Sequence, residues 1–583
     1  HGIADGWPRR LQVLIDGRSV YTPMVSNVDW SNLGITKDDI ERIEVIRGPN
    51  AVAYGANAFT AAINIITKQP FEDRGVSVSG TVGAIDTKNL TARVGSAAGP
   101  VDFRMTAQYR SDDGFDDVND HKRVRALSMR AGYSPSFRDH VEFHAGYSGG
   151  DFGAWGEPGD LETPPRERGV DSYYGMVHWQ RTVSDRHAFH VQLYTNRYRW
   201  VDRYRVGPLS TYFGVPPAAI PASFPGQTDQ RIAFGVFDGT AERTDLEFED
   251  VFLPTDRWRV AWGGSLRVDR MESLHILDRT DPISDHSRRG FVNVEWRPAA
   301  GRVINGGVMV ENNDMVGTYT SSRFGINQRI APGHTVRASA SHTARTPSMY
   351  ENFARVEAEF NDGSDLALFR GSQGDLDPER IRSYELGYVG TFPEAGLSVD
   401  LKVFEEEIRD FIIDPRAEDY AQPYAVLDGV IEPLIYENAG RVDTVGAEAQ
   451  ITYRPGRDTR LSLQYGYART TGRYKGQNNP VDYRDISGQV PTDTASALLS
   501  HRFPDHLDAS LAYYTISEME WAGDGDELPG YERLDVRLAQ GLGRDGRAGT
   551  AELIVQNLLD EYPEFSEDNR FGMRGYLRVT FKL

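Results

Sequence analysis

Carboxylates make the most visible chemical clusters in this chain. Asp112-Asp113-Gly114-Phe115-Asp116-Asp117 and Glu405-Glu406-Glu407 gather the hard oxygen ligands that Ca²⁺ prefers. Neither run has the spacing of an EF-hand loop, and charge runs of this kind are ordinarily solvated edges. Thirteen histidines are scattered. His140 and His144, four apart, project to one face of a strand but too far apart to share an ion. Cysteine is absent, which excludes disulfides, thiolate metal sites and cysteine nucleophiles. No nucleophile–base pair stands out. Neither an enzyme nor a resident metal or cofactor is expected.

Two segments near the N-terminus offer a different chemistry, contact with a ligand. Ser19 to Trp30 carries Tyr21, Met24, Asn27 and Trp30 with no charge before Asp29, and Asn50 to Phe59 carries Tyr54 and Asn57. Aromatic side chains on a rigid support give contact area at small entropic cost. The alternative is that these residues fill a core, which is the expectation for Phe59.

Bulk properties narrow the class. A formal charge of −21 without a long basic cluster argues against nucleic acid, whose phosphates demand grouped Lys and Arg. Mean hydropathy is −0.50, so most of the surface meets water. A long uncharged stretch, Gly48 to Thr67, contains Pro49, Asn50, Gly55, Asn57 and Asn64, and each Asn would need a partner in lipid. A spanning helix is rejected there. A β-barrel stays open as a reading, because only alternate residues face lipid and mean hydropathy stays low. The chain opens His1-Gly2-Ile3, without an apolar signal segment, so any targeting peptide is expected ahead of it.

The elements that position these residues have two textures. Up to residue 70, short apolar runs alternate with Gly and Asn turns and predict a small mixed α+β domain. Leu11 to Ile15 ends at Asp16-Gly17, Ile40 to Ile46 at Arg47-Gly48-Pro49, and Ile63 to Lys68 is a third strand. A short helix opening at Asp38-Asp39 is the weaker alternative there. From about residue 74, period-2 segments repeat to the end. Val101, Phe103, Met105, Ala107 and Tyr109 alternate with Asp102, Arg104, Thr106, Gln108 and Arg110. Leu577, Val579, Phe581 and Leu583 do the same against Arg578, Thr580 and Lys582.

Many of these segments end in Tyr or Trp on the apolar side, as an aromatic girdle requires. Tight turns such as 297–301 and 454–458 alternate with long polar connections over 149–171, 203–238, 350–380 and 412–440. Short turns on one rim and long loops on the other predict an all-β transmembrane barrel. About 510 residues follow residue 72, so about 22 antiparallel strands leave roughly 23 residues per strand and connection, whereas sixteen, the alternative, would leave roughly 30 and more loop. The lumen of such a barrel holds a plug. The expected division is 1–70 as an N-terminal plug inside the lumen and 71–583 as the barrel. Outer-membrane lipid and lipopolysaccharide are then partners, and acidic rim residues solvate or hold bridging cations.

The motifs also resemble a family. Val13-Leu14-Ile15-Asp16-Gly17, Ile40 to Pro49, Ala53-Tyr54-Gly55-Ala56-Asn57-Ala58 and Ile63 to Lys68 are similar to the plug of TonB-dependent transporters. Leu376-Asp377-Pro378-Glu379 with Ser383 to Tyr388, then Tyr436-Glu437-Asn438-Ala439-Gly440 with Gly446-Ala447-Glu448, and Gln556 to Pro563, resemble that family's barrel signatures in family order. The resemblance implies a monomeric importer of the siderophore and cobalamin receptor type. It would take up a scarce large ligand, foremost a ferric siderophore, with force applied by TonB to an N-terminal box. Alternatives are cobalamin, a carbohydrate or another metal chelate, and from a different class a passive porin or an adhesive or structural barrel. A complete plug argues against a porin. The box and first plug strands are expected ahead of His1, and Leu583 stands where the family usually ends in an aromatic.

By the same analogy both N-terminal segments face the extracellular vestibule. Arg47 is expected to reach Glu385 and Glu448 on the barrel wall, an Arg fork satisfying two otherwise repelling carboxylates. That cluster would latch the plug; the alternative is that both glutamates face a wet lumen. Haem is disfavoured, because Thr343-Ala344-Arg345-Thr346-Pro347 and Gly374-Asp375-Leu376-Asp377 depart from the haem-receptor boxes.

Overall fold

The computed structural model describes residues 8–583 apart from 56, 117, 155–163, 235–237, 416, 418–419, 475–485 and 522–525. Twenty-two antiparallel strands close into a barrel. The first, Gly75–Gly83, pairs with the last, Arg574–Lys582, through Val78 and Phe581, which leaves no open edge for lipid to meet. Sidedness is inverted relative to a soluble protein. In Val101–Asp112 the apolar Val101, Met105 and Tyr109 are exposed, while Arg104 and Thr106 are buried toward the lumen. Leu577 and Phe581 face out against a buried Arg578. Among the described residues no helix is long and apolar enough to cross a membrane.

The rim that carries Gly75 and Leu583 also carries the tight turns, such as 99–100, 300–301 and 332–333. The opposite rim is elaborate. Two of its connections are shorter than the sequence predicts, because the strands run far past the apolar band. Asp139–Ala154 and Arg166–Ser184 pair up to Ala154↔Arg166, so the link is 155–165 rather than 149–171. Leu397–Ile413 and Leu434–Tyr453 likewise reduce 412–440 to 414–433. A strand of 20 residues spans roughly 65 Å, much more than a band of about 25 Å needs.

The long connections meet over the lumen. Ala233, within Ile232–Phe234, pairs with Glu359, within Arg355–Glu359, and Arg370 pairs in parallel with Leu434. Around them Leu209, Ile220, Phe224, Phe360 and Leu366 form an apolar core. Three loops thus build a folded roof.

Inside sits a four-stranded sheet in the order Arg18–Ser19, Leu11–Ile15, Ala61–Thr67, Ile40–Arg47. Leu11–Ile15 and Ala61–Thr67 run parallel, from Leu11↔Ala61 to Ile15↔Ile65. The helix considered at 38–41 reduces to a 3₁₀ turn, Lys37–Asp39, whose Asp39 accepts from the backbone N–H and hydroxyl of Thr36 at 2.8 and 2.7 Å. The strand then starts at Ile40. Phe59 is buried against wall residues Ile381, Ile408 and Phe411, not in the plug core. The core consists of Val13, Ile15, Val20, Tyr21, Val28 and Ile65.

Candidate functional site between plug and barrel

Arg47 ends a plug strand, and its Nη1 lies 2.9 Å from Glu448 Oε2. Glu385 is held instead by Ser339, whose hydroxyl donates at 3.0 Å, and by Lys402 Nζ at 3.5 Å. The Lys402 ammonium also lies 3.1 Å from Glu448. A cation on the wall therefore stands between the two glutamates, and Arg47 joins from the plug side. Lys402 was readable in principle. It alternates with the outward Leu401 and Val403, which turns it into the lumen between the strands of Glu385 and Glu448. Arg47 is only half buried, its side chain 41% exposed. It borders a cavity of about 600 Å³ between Val45, Asn50 and Ala53 of the plug and Asn293, Arg323 and Arg337 of the wall.

A second cluster, carrying more buried charge, lies beside the same end of the plug sheet but nearer the loop rim, since Leu11 and Arg47 both pair with Ala61. Arg345 closes the strand His334–Arg345 and faces Glu379, its cross-strand partner at the start of Glu379–Phe392. Its Nε donates to Glu379 at 2.7 Å and its Nη groups to Glu351 at 2.9 and 3.0 Å. From the plug, Arg10 Nε and Nη2 donate to Glu379 at 2.9 and 2.5 Å, and Arg9 Nη1 donates to Glu351 at 3.0 Å. Glu351 belongs to the roof. It closes a capping box with Ser348 on the short helix Met349–Phe353. Burial alone would raise the Glu351 carboxyl, but Arg345 and Arg9 hold it well below the usual range. Plug, wall and roof share one charge network. The plug arginines lie 342 and 369 positions from the acids they meet, so only the Arg345 and Glu379 motifs hinted at it.

Further ion pairs ring the plug. Arg93 donates to Asp39 at 2.8 Å, and Arg104 Nε lies 3.5 Å from it. Both guanidiniums outweigh the desolvation that would raise Asp39 and hold its carboxyl low. Arg130 donates to Thr67 O at 2.7 Å and to both oxygens of Glu142 at 3.0 Å. His140 and His144 also turn to Glu142, at 3.1 and 3.0 Å. Arg243 reaches Ser19 Oγ at 3.2 Å.

The proposed ligand platform divides. Tyr21 is 0% exposed and donates to Pro8 O at 2.8 Å. Met24 is buried beneath the roof, its carbonyl accepting from the Tyr350 N–H at 2.9 Å. Neither presents a surface here. Asn27 is half buried and bonds Thr22 at 2.7 Å. Tyr54 and Asn57 are half buried, and Trp30 is 47% exposed. Period 2 splits Glu405-Glu406-Glu407, with Glu406 buried in the lumen and its neighbours outside. Asp112 faces Lys122 at 3.4 Å, and Asp117 lies outside the described residues. Among the described residues one carboxylate trio clusters, Asp278, Glu357 and Asp365 in the roof. Arg355 already occupies it, 3.1 Å from Asp278 and 2.5 Å from Glu357.

A 22-strand wall thus encloses a folded plug and is covered by its own loops. Two family descriptions match the chain, the TonB-dependent Receptor Plug Domain over residues 1–62 and the TonB dependent receptor-like β-barrel over 71–558. The chain belongs to the TonB-dependent receptor family and is an outer-membrane β-barrel. The vitamin B12 transporter BtuB of Vibrio cholerae is 22% identical over 414 residues, 69% of this chain and 59% of BtuB. The chain thus spans about three fifths of that relative. The iron-regulated outer membrane virulence protein of the same species is 22% identical over 550 residues, 91% of this chain and 77% of its own. The siderophore receptor PirA from Acinetobacter baumannii shares the fold, with a TM-score of 0.75 at 15% identity over 99% of this chain and 91% of PirA.

Proposed function

We propose that the protein imports a scarce, large ligand across the outer membrane, that the ligand is a ferric siderophore, and that TonB supplies the force. Residues 1–70 act as the gate and 71–583 as the wall. The observation that carries this reading is the plug itself. It is pinned to the wall by a buried ion pair from Arg10 and a half-exposed one from Arg47 and roofed by loops, so passage requires work. In this reading Trp30, Tyr54 and Asn57 meet the ligand first, and Tyr21, Met24 and Asn27 become available as the roof lifts. Arg47 with Glu448 and Glu385 holds the gate, Lys402 sharing the charge. The names of an iron-regulated relative and a siderophore receptor of like fold support iron over vitamin B12. The deciding experiment is uptake in a strain lacking its own receptors, with TonB present or deleted. Accumulation of a ⁵⁵Fe-siderophore only when TonB is present supports the reading; TonB-dependent uptake of labelled cobalamin alone would replace iron with B12.

A further inference from the structure

On its lipid-facing side the barrel carries a transverse groove with a cationic end. Five strands contribute: Ile283–Ala299, Arg302–Asn313, Gly317–Ala331, His334–Arg345 and Glu379–Phe392. Register places Tyr384, Ala340, Phe324, Gly306 and Val294 in one outward row. Large and small side chains alternate along it. The row above it, toward the loop rim, contains Arg382, His342 and Ser322. Together they enclose a concavity of about 600 Å³. Gly306 forms part of its floor, and a Cβ built there would meet nothing within 4 Å. The hollow is the size of acyl chains rather than a packing seam.

Depth follows from strand geometry. Phe392 marks the aromatic level near the tight-turn rim, and Arg382 stands ten residues above it on the same strand. Ten residues rise roughly 33 Å along a strand, or about 25 Å along the membrane normal at the usual barrel tilt. Arg382 and His342 therefore sit where the apolar band meets the outer head groups, with the hollow beneath them. Among the described residues neither has a carboxylate within ion-pair distance. The acids nearby are largely engaged. Glu407, cross-strand from Arg382, lies 2.9 Å from Arg409 and 2.7 Å from Arg441, and Asp410 accepts from Arg380 at 2.6 Å. Glu405 adjoins Tyr384 at the groove's end, away from Ser322.

We propose that this groove is a binding site for one phosphorylated, multiply acylated glycolipid of the outer leaflet, lipopolysaccharide of the surrounding membrane. Arg382 and His342 take the phosphate, and the chains lie over Ala340, Gly306 and Val294. Bidentate guanidinium contact at a low-dielectric boundary suits a phosphate, and the apolar floor suits acyl chains.

Native mass spectrometry of protein extracted in mild detergent from its own outer membrane tests the site. Wild type is expected to retain one glycolipid through detergent exchange. The pair Arg382→Gln with His342→Gln is expected to lower retention about tenfold, as loss of charged hydrogen bonds predicts. Gly306→Phe, which fills the hollow while keeping Arg382 and His342, should lower it as well. Arg125→Gln, an outward arginine on a distant strand, should leave it unchanged, and all variants should keep the heat-stable compact band of a folded barrel. Equal retention in wild type and the groove variants overturns the proposal. So does retention of phospholipid as strongly as glycolipid, or of detergent alone.

Discussion

Lys402 changes what the Arg47 contact is worth. The wall lysine is almost fully buried between Glu385 and Glu448, whereas Arg47 borders a wet cavity. Removing a buried partner leaves uncompensated charge, roughly 3 kcal/mol. A half-exposed ion pair contributes under about 1 kcal/mol. Lys402→Met is therefore expected to lower the urea midpoint at which the plug strand 40–47 loses hydrogen-exchange protection far more than Arg47→Ala does. Equal shifts would return the main counter-charge to Arg47. A second residue carries a pH signature. Burial, and then the neighbouring Asp365, push the roof residue Glu357 from 4.5 up to about 7 against the pull of Arg355. A raised acid is stabilising when protonated, so its contribution is full below pH 4.5 and lost as pH rises through about 7. Amides of 355–370 should exchange more slowly at pH 5 than at pH 8, after correction for intrinsic rates. Glu357→Gln should flatten that difference; an unchanged difference would assign it elsewhere.

The roof helix Met349–Phe353 is the element that joins the moving parts. It is only five residues long, too short to persist without help. Its help is the Ser348–Glu351 capping box, the Arg345 and Arg9 pairs, and the bond from Tyr350 to Met24. Ser348→Ala removes one cap, about 1 kcal/mol. Amides over 350–354 should then exchange roughly fivefold faster, with barrel amides unchanged; no acceleration would mean that the charge network alone holds the helix. Elements of this kind mark where the sequence stops being legible. Strand alternation gave the barrel and its sidedness, because every strand repeats one local rule, and chain length gave the strand count. The roof follows no local rule. Ala233 meets Glu359 and Arg370 meets Leu434 only once the wall has brought distant loops together. The strands' extension into 149–154 was hidden for a related reason. Above the membrane Gly149, Gly150 and Asp151 need no apolar face, so alternation ends before the strand does. The Arg47–Glu448 pair was within reach because motifs name both partners. Arg10 with Glu379, 369 positions apart, was not.

At the scale of the whole molecule the plug is fastened around the circumference. Asp39 is tied to the strands of Arg93 and Arg104, Thr67 to Arg130, Ser19 to Arg243, Asp38 to Arg578, and Arg10 to the strand of Glu379. Each tie is a wall cation meeting a plug acceptor, or the reverse, and the ties are spread from Arg93 to Arg578 along the barrel sequence. Losing one should leave the others in register, since sites this far apart act nearly additively. The closed state is then a property of the set, and only removal of the whole plug should open the pore. Liposomes carrying the intact protein are expected to swell no faster in isotonic sugar than empty ones. Single variants at Arg47, Arg130 or Arg243 should behave the same way, while a variant lacking residues 8–70 but retaining a closed barrel should admit sugars rapidly, as an unplugged 22-strand lumen allows. Rapid swelling with the intact protein would contradict a gate that needs work. Rapid swelling after a single substitution would show instead that one tie controls the rest.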